Sequence, residues 1–106
     1  MDEKRNDIIN KVKIIVHKYD ANAGVILFGS RARGDWHEES DWDFLVLTTL
    51  PEHSGIKEKV RKEILENIEY KTFDVINFIW HNKDVWEEDY SVTNIYESIQ
   101  EDGIAV

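Results

Sequence analysis

Two short, continuous apolar runs constrain the fold of this chain more than any other feature. Val25–Phe28 has a glycine on each side, and Asp43–Thr48 (DFLVLT) follows after a polar stretch. Apolar runs this short, bounded by turn residues, are typical of strands that are buried within a sheet. They predict two core strands, joined by a polar loop over residues 35–40.

Other segments carry the periodicity of helices. Apolar residues recur at spacings of three and four over residues 7–19 and again over residues 56–68, which is the pattern of an amphipathic helix. Thr72–Phe78 is rich in β-branched and aromatic residues and is predicted to form a third strand. The order of elements is therefore typical of a mixed α/β fold.

Capping signals organise the rest of the chain. Asn82 can cap a short helix through Trp86, and Ser91 can cap a last helix that Gly103 ends. Residues 104–106 can add a small edge strand. We predict one α/β (α+β) domain over residues 1–106, with a small mixed sheet and helices packed on one side.

The composition narrows the classes of function. The 106 residues contain 13 Lys and Arg against 22 Asp and Glu, a formal net charge of −9 that repels the phosphates of nucleic acid. The absence of cysteine excludes disulfides and thiolate chemistry. The charged N-terminus and the lack of a long apolar run predict a cytoplasmic protein with no membrane or nucleic-acid partner.

A Gly-Ser turn with two arginines directly follows the first predicted strand. Gly29 lets the backbone approach a ligand closely, and Ser30 can cap the helical turn after it, where backbone N–H groups suit phosphate oxygens. Arg31 and Arg33 add charge of the right sign, and we assign Arg33 to nucleotide binding. The alternatives are a plain capped turn and surface salt bridges with Asp35 or the acidic residues after it.

Two aspartates separated by one residue begin the second predicted strand. On an extended backbone Asp41 and Asp43 project from the same face, while Trp42 faces away. Two such carboxylates repel each other unless a cation lies between them, and hard oxygen ligands suit Mg²⁺ that is shared with substrate phosphates. The alternative is a solvated entry to the strand.

Asp74 is an ionisable residue in the middle of the third predicted strand. Left unpaired, a carboxylate there costs on the order of several kcal/mol, so it needs a metal, an arginine or a helix end as its partner. If the second and third strands are neighbours, Asp74 can join Asp41 and Asp43. Three carboxylates can hold two metal ions for an in-line phosphoryl displacement.

Together these residues resemble the nucleotidyltransferase superfamily with the DNA polymerase β-type palm, specifically its minimal nucleotidyltransferase branch. That branch carries Gly-Ser, ten residues and then Asp-x-Asp, which Gly29, Ser30, Asp41 and Asp43 match. The apolar strand before the motif, the Ala-Arg-Gly after the serine and a later strand with Asp74 also match. The resemblance covers nearly the whole chain.

The resemblance implies a palm-like fold and a Mg²⁺-dependent transfer of a nucleoside monophosphate, AMP from ATP, to a hydroxyl group. It implies that Gly29 and Ser30 hold the triphosphate and that Asp41 and Asp43 bind two Mg²⁺ ions. It further implies that Asp74 completes the metal site and helps to deprotonate the acceptor.

Members of this branch are often paired with a separate all-helical HEPN protein. The resemblance therefore implies an antitoxin that adds AMP to a tyrosine of a HEPN toxin, and we expect a separate chain or a second copy of this one to present the acceptor. Two alternatives stay open. One is a module that neutralises its partner by binding alone, and the other is a small-molecule nucleotidyltransferase of the antibiotic-modifying kind.

Overall fold

A four-stranded mixed sheet organises the protein, in a computed structural model that describes residues 2–106. The strands are β1 (Gly24–Phe28), β2 (Trp42–Thr48), β3 (Ile76–Asn82) and β4 (Ile104–Ala105). They lie in the order β3-β2-β1-β4. β1 runs antiparallel to both β2 and β4, whereas β2 and β3 are parallel. The two predicted core strands are thus neighbours, and the C-terminal edge strand is confirmed.

Helices fill the connections between the strands. They are α1 (Asp2–Tyr19), α2 (Ser30–Arg33), α3 (Ile56–Ile64), α4 (Tyr70–Thr72), α5 (Lys83–Asp89) and α6 (Asn94–Asp102). A π-helical segment, Leu65–Glu69, joins α3 to α4. Over residues 2–106, no helix has the length and apolar character needed to cross a membrane.

The larger hydrophobic core lies between the sheet and the helices α1 and α3. Trp42, Phe44 and Val46 alternate along β2 and are buried on this face. Val12 of α1 and Val60 of α3 belong to the same cluster. The apolar stripes that predict these two helices therefore face the sheet.

A smaller core covers the opposite face of the sheet. Leu45 of β2, Trp86 of α5 and Ile99 of α6 form it. The mixed α/β class is confirmed, but the helices pack on both faces and not on one side alone. The second layer forms because β2 is apolar on both of its faces, so each face needs a cover.

The third strand begins later than the sequence pattern predicts. The prediction is Thr72–Phe78, whereas β3 is Ile76–Asn82. The helical path of α3 continues through the π-helical segment and α4 to Thr72, and Phe73 ends it with a left-handed φ of 62°. Helix continuation overrides the β propensity of these residues. Asp74 consequently lies before β3 and not in its middle.

The capping predictions have mixed outcomes. Asn82 caps α5 as predicted, because its side chain accepts hydrogen bonds from two backbone N–H groups of that helix. The cap of α6 is Thr93 and not Ser91. The Tyr90 carbonyl accepts hydrogen bonds from both the N–H and the hydroxyl of Thr93, which closes a turn over Ser91. The last helix therefore begins only after this turn.

Asp20 links the end of α1 to the end of β2. Its carboxylate accepts hydrogen bonds from the Thr48 hydroxyl (2.7 Å), the Thr49 N–H (2.7 Å) and the Asn22 N–H (3.1 Å). Burial works against the charged form, but these hydrogen bonds outweigh it and hold the pKa of Asp20 below its ordinary value. The link lies at the opposite end of β2 from Asp41 and Asp43.

Replacing Asp20 with Asn should lower the free energy of unfolding at neutral pH by about 1 to 3 kcal/mol. Because folding lowers the pKa of Asp20, its contribution is present above the unfolded value near 3.8 and is lost as the pH falls through the folded value. Urea unfolding measures this at about pH 7 and about pH 3. The free energy of unfolding should decrease less between these two pH values for Asp20→Asn than for the wild type. The exposed Asp89→Asn is the control, and equal pH dependence of Asp20→Asn and wild type would contradict the prediction.

Candidate functional site

The start of β2 carries the two predicted aspartates. In the sheet, Asp43 is opposite Phe28 of β1 on one side and opposite Asn77 of β3 on the other. Because side chains alternate along a strand, Asp43 lies on the same face as Leu45, while Trp42 points to the larger core. The aspartates thus occupy the face that α5 and α6 cover further along the sheet.

Asn77 joins the two carboxylates. Its Nδ2 atom donates hydrogen bonds to Asp41 Oδ2 at 3.1 Å and to Asp43 Oδ1 at 3.2 Å. One amide nitrogen contacts both side chains, so the carboxylates converge on a common point. Asn77 is not among the site residues predicted from the sequence, where its only signal is a polar residue among the apolar residues that begin β3.

Gly29 brings the backbone against this pair. Its φ of 74° lies in the left-handed region that favours glycine. A Cβ atom at this position would collide with Asp43 Oδ2 and would lie 3.2 Å from Asp43 Cγ. Gly29 itself occupies the cap position, and Ser30, predicted as the cap, is instead the first residue of the single helical turn α2. The structure therefore brings the Gly-Ser turn and the second aspartate together, as the motif predicts.

Arg31 orders the loop that leads to the aspartates. Its guanidinium donates a hydrogen bond to the Ser40 carbonyl oxygen at 3.0 Å. It also stacks on the rings of Trp36 and Trp42, at 4.5 and 4.1 Å from the ring centroids. The residue is only 6% exposed. These contacts make Arg31 a structural support for the approach to Asp41.

Arg33 lies at the surface in two ion pairs. Its Nε is 3.3 Å from Asp35 Oδ2, and its Nη1 is 3.5 Å from Asp102 Oδ2. The contact with Asp35 is the surface salt bridge that the sequence analysis gives as the alternative to nucleotide binding. A role of Arg33 in nucleotide binding stays a prediction.

Asp74 lies apart from the other two aspartates. Its Oδ1 accepts a hydrogen bond from Trp42 Nε1 at 3.3 Å and is 3.1 Å from Lys4 Nζ. Trp42 points to the larger core, so these contacts place Asp74 on the face opposite Asp41 and Asp43. The structure does not form the predicted three-aspartate cluster, because the register of β3 puts Asn77 opposite Asp43 and leaves Asp74 on the face of Trp42. A catalytic role of Asp74 stays a prediction.

The surroundings of Asp74 keep it charged inside the protein. Burial favours the neutral form, but the Lys4 ammonium and the hydrogen bond from the Trp42 indole N–H outweigh it and lower the pKa of Asp74. The carboxylate thus connects the first turns of α1 to the start of β2. Its second oxygen, Oδ2, is buried without a hydrogen-bond partner among residues 2–106.

The donor set at Asp41 and Asp43 suits a divalent cation that is shared with a phosphate ligand. Carboxylate and amide oxygens are the hard ligands that Mg²⁺ prefers, and the Asp43 carboxylate can lie against the Gly29 backbone only because that residue has no Cβ. Within residues 2–106 no group of three or more His, Asp and Glu side chains could hold a metal. Phosphate oxygens and water would therefore supply the remaining ligands.

A cavity of about 580 Å³ lies away from the aspartates. Lys4, Arg31, Trp36 and Trp42 are among its lining residues, which places it on the face of the larger core. None of Asp41, Asp43 and Asn77 lines it. Asp41 and Asn77 are exposed, so the site that the motif predicts lies at the protein surface, at the start of β2.

Comparison with known proteins bears on the fold and on the family of the chain. A solved structure described as "Crystal structure of the toxin-antitoxin with AMP-PNP" has a similar fold, with a TM-score of 0.62 and 18% sequence identity over 91% of this chain and 69% of that one. No curated protein matches the sequence. The family model for the nucleotidyltransferase domain matches residues 8–106, which is nearly the whole chain. The protein therefore belongs to the nucleotidyltransferase domain family.

Proposed function

We propose that this nucleotidyltransferase transfers AMP from ATP to a hydroxyl group of a partner protein and acts as an antitoxin. Membership of the family supports the class of reaction. The observation that carries the assignment of the site is the convergence of Asp41 and Asp43 beside the Gly29 backbone. Gly29 and Ser30 are the proposed contacts of the triphosphate.

In the proposed reaction, an acceptor oxygen attacks the α-phosphate of the nucleotide. A new P–O bond forms to the acceptor oxygen, the bond between the α-phosphorus and the bridging oxygen breaks, pyrophosphate leaves, and the proton of the acceptor hydroxyl passes to water. Bound Mg²⁺ would offset the negative charge that builds on the phosphate oxygens. Asp41 and Asp43 would hold and orient the cation, and Gly29 would admit the phosphate chain next to them.

The charges around the site favour a metal-dependent reaction. The chain has a net charge of −9, and the two arginines of the motif are already engaged. Arg31 supports the loop, and Arg33 pairs with Asp35 and Asp102. Neutralisation of a triphosphate at this surface would therefore depend on cations that the two aspartates bind.

A partner protein as the acceptor is supported by the surface next to the site. Tyr70, Phe73 and Val75 precede β3 and are exposed, Phe73 to 90%. The Val75 carbonyl accepts a hydrogen bond from the Trp42 N–H at 2.9 Å, so this apolar segment is attached directly to the strand that carries Asp43. Exposed aromatic side chains are favoured at protein interfaces.

The similar solved structure supports a toxin as the proposed partner and ATP as the proposed nucleotide. It is described as a toxin-antitoxin with AMP-PNP, an analogue of ATP. We propose by analogy that the partner of this chain is a HEPN-type toxin and that the acceptor is a tyrosine hydroxyl. The analogy rests on a shared fold and on the matched motif.

The double variant Asp41→Asn, Asp43→Asn tests the reaction. It should reduce AMP transfer to the partner by more than about 10³-fold, because it removes the charges proposed to hold the cation. Intact-mass spectrometry of the partner after incubation with ATP and Mg²⁺ measures the transfer. The control is Asp84→Asn, Asp89→Asn in α5, which changes the net charge equally. The proposal is wrong if the wild-type protein leaves the partner's mass unchanged with ATP and with every other nucleoside triphosphate.

A non-catalytic module that neutralises its partner by binding is the second candidate. The observation that favours it is that Asp74 does not join Asp41 and Asp43, which leaves only two carboxylates at the site. This candidate predicts that the double variant binds the partner and protects cells as well as the wild type does. Loss of protection with retained binding would instead favour the enzyme.

Substitution of Gly29 by Ala tests the close approach of the backbone. Its Cβ would displace the Asp43 carboxylate, so we expect loss of both AMP transfer and Mn²⁺ binding. Gly55→Ala is the matched control, since Gly55 also has a positive φ (82°) but has no atom within 4 Å of the added Cβ. Gly55→Ala should lose about 1 to 2 kcal/mol of stability, because Gly55 is in the left-handed helical region. Gly29→Ala should lose at least as much, about 1 to 3 kcal/mol, because a φ of 74° with a ψ of −160° is a conformation that glycine almost alone adopts. Equal Mn²⁺ binding in the two variants would contradict the proposed role of Gly29.

A further inference from the structure

We infer that Asn77 is the third group of the site at Asp41 and Asp43. In this inference Asn77 holds the two carboxylates together before a cation binds, and it sets the affinity of the site for that cation. The inference rests on the proposed function, because it assumes that the aspartates bind a divalent metal. It adds a positioning residue that lies outside the Gly-Ser and Asp-x-Asp motif.

The first support is that the hydrogen-bond donors of the Asn77 amide match the two carboxylates that it contacts. Two ionised carboxylates that converge on one another repel strongly. The NH₂ group of an asparagine has two N–H donors, and Asn77 Nδ2 lies 3.1 Å from Asp41 Oδ2 and 3.2 Å from Asp43 Oδ1. The amide thus offers one donor to each carboxylate and offsets part of their repulsion.

The second support is that packing does not require an asparagine here. Asn77 is exposed, whereas its chain neighbour Ile76 is buried in the larger core. Its position is set by the backbone pairing of β3 with β2, which puts it directly opposite Asp43. The side chain is therefore available for the site without any role in the core.

The chemistry of the amide predicts how a cation would change its role. An asparagine carries a carbonyl oxygen as well as the two N–H donors, and this oxygen is a known type of ligand for hard cations. It carries no charge, so the site has two formal negative charges and not three. We therefore expect the protein alone to bind a divalent cation weakly, and to bind it more tightly when a triphosphate supplies further oxygens.

Three variants separate this role from that of an ordinary surface asparagine. Asn77→Asp keeps the size of the side chain and adds a charge at the site, and Asn77→Ala removes the amide. Asn67→Asp is the matched control, because it adds the same charge at an exposed residue of the helical segment on the opposite face. Mn²⁺ affinity is measured by electron paramagnetic resonance, with Mn²⁺ alone and with a non-hydrolysable ATP analogue. Thermal unfolding is measured in EDTA and in Mn²⁺.

Asn77→Asp should bind Mn²⁺ about tenfold more tightly than the wild type, and Asn77→Ala about tenfold more weakly. In EDTA, Asn77→Asp should unfold at a lower temperature than Asn67→Asp, because three unscreened carboxylates then meet at one point. Mn²⁺ should remove that difference. The inference is overturned if Asn77→Asp and Asn67→Asp have the same Mn²⁺ affinity, or if Asn77→Ala binds Mn²⁺ as well as the wild type.

Failure of this inference is distinguishable from failure of the proposed function. If the aspartates bind no metal, Asp41→Asn, Asp43→Asn will not change Mn²⁺ affinity, and the proposed function fails. If that double variant loses Mn²⁺ binding while the Asn77 variants keep wild-type affinity, the metal site stands and only the role of Asn77 is rejected.

Discussion

The parallel pairing of β2 with β3 is the interaction on which the site depends. Its register places Asp43 opposite Asn77 and Trp42 opposite Ile76, and the ladder continues to a hydrogen bond from the Trp42 N–H to the Val75 carbonyl. Because successive side chains of a strand point to opposite faces, a slip of one residue would turn Asn77 into the core. The same register keeps Asp74 with Trp42 and away from Asp43.

The net negative charge of the chain is compatible with this site, because the arginines of the motif make other contacts. A cationic residue next to the Gly-Ser turn does not by itself produce a phosphate-binding surface, because Arg31 is buried between two tryptophans and Arg33 pairs with acidic neighbours. The side chains that converge at the start of β2 are the carboxylates of Asp41 and Asp43 and the amide of Asn77. In the function that we propose, a cation would bridge these carboxylates and the phosphates of a nucleotide.

Local patterns predicted much of the fold and two parts of the candidate site, the Gly-Ser turn and the paired aspartates. The apolar runs of β1 and β2 and the apolar stripes of α1 and α3 were sufficient to predict these four elements. A strand or helix that packs against a core needs such a pattern to bury its apolar side chains. The start of β3 was not predictable from β propensity, because the preceding helix continues through Thr72 and ends at Phe73. The cap of α6 was mistaken for a similar reason, because the turn that begins at Tyr90 delays the helix.

The sequence by itself determined the Gly-Ser turn, the paired aspartates and the class of fold, because these depend on neighbours along the chain. Only the tertiary structure decided that Asn77 meets Asp41 and Asp43 and that Asp74 faces the other way. Those contacts join residues more than thirty positions apart. They follow from the register between two strands, which backbone hydrogen bonds and the packing of both faces set together.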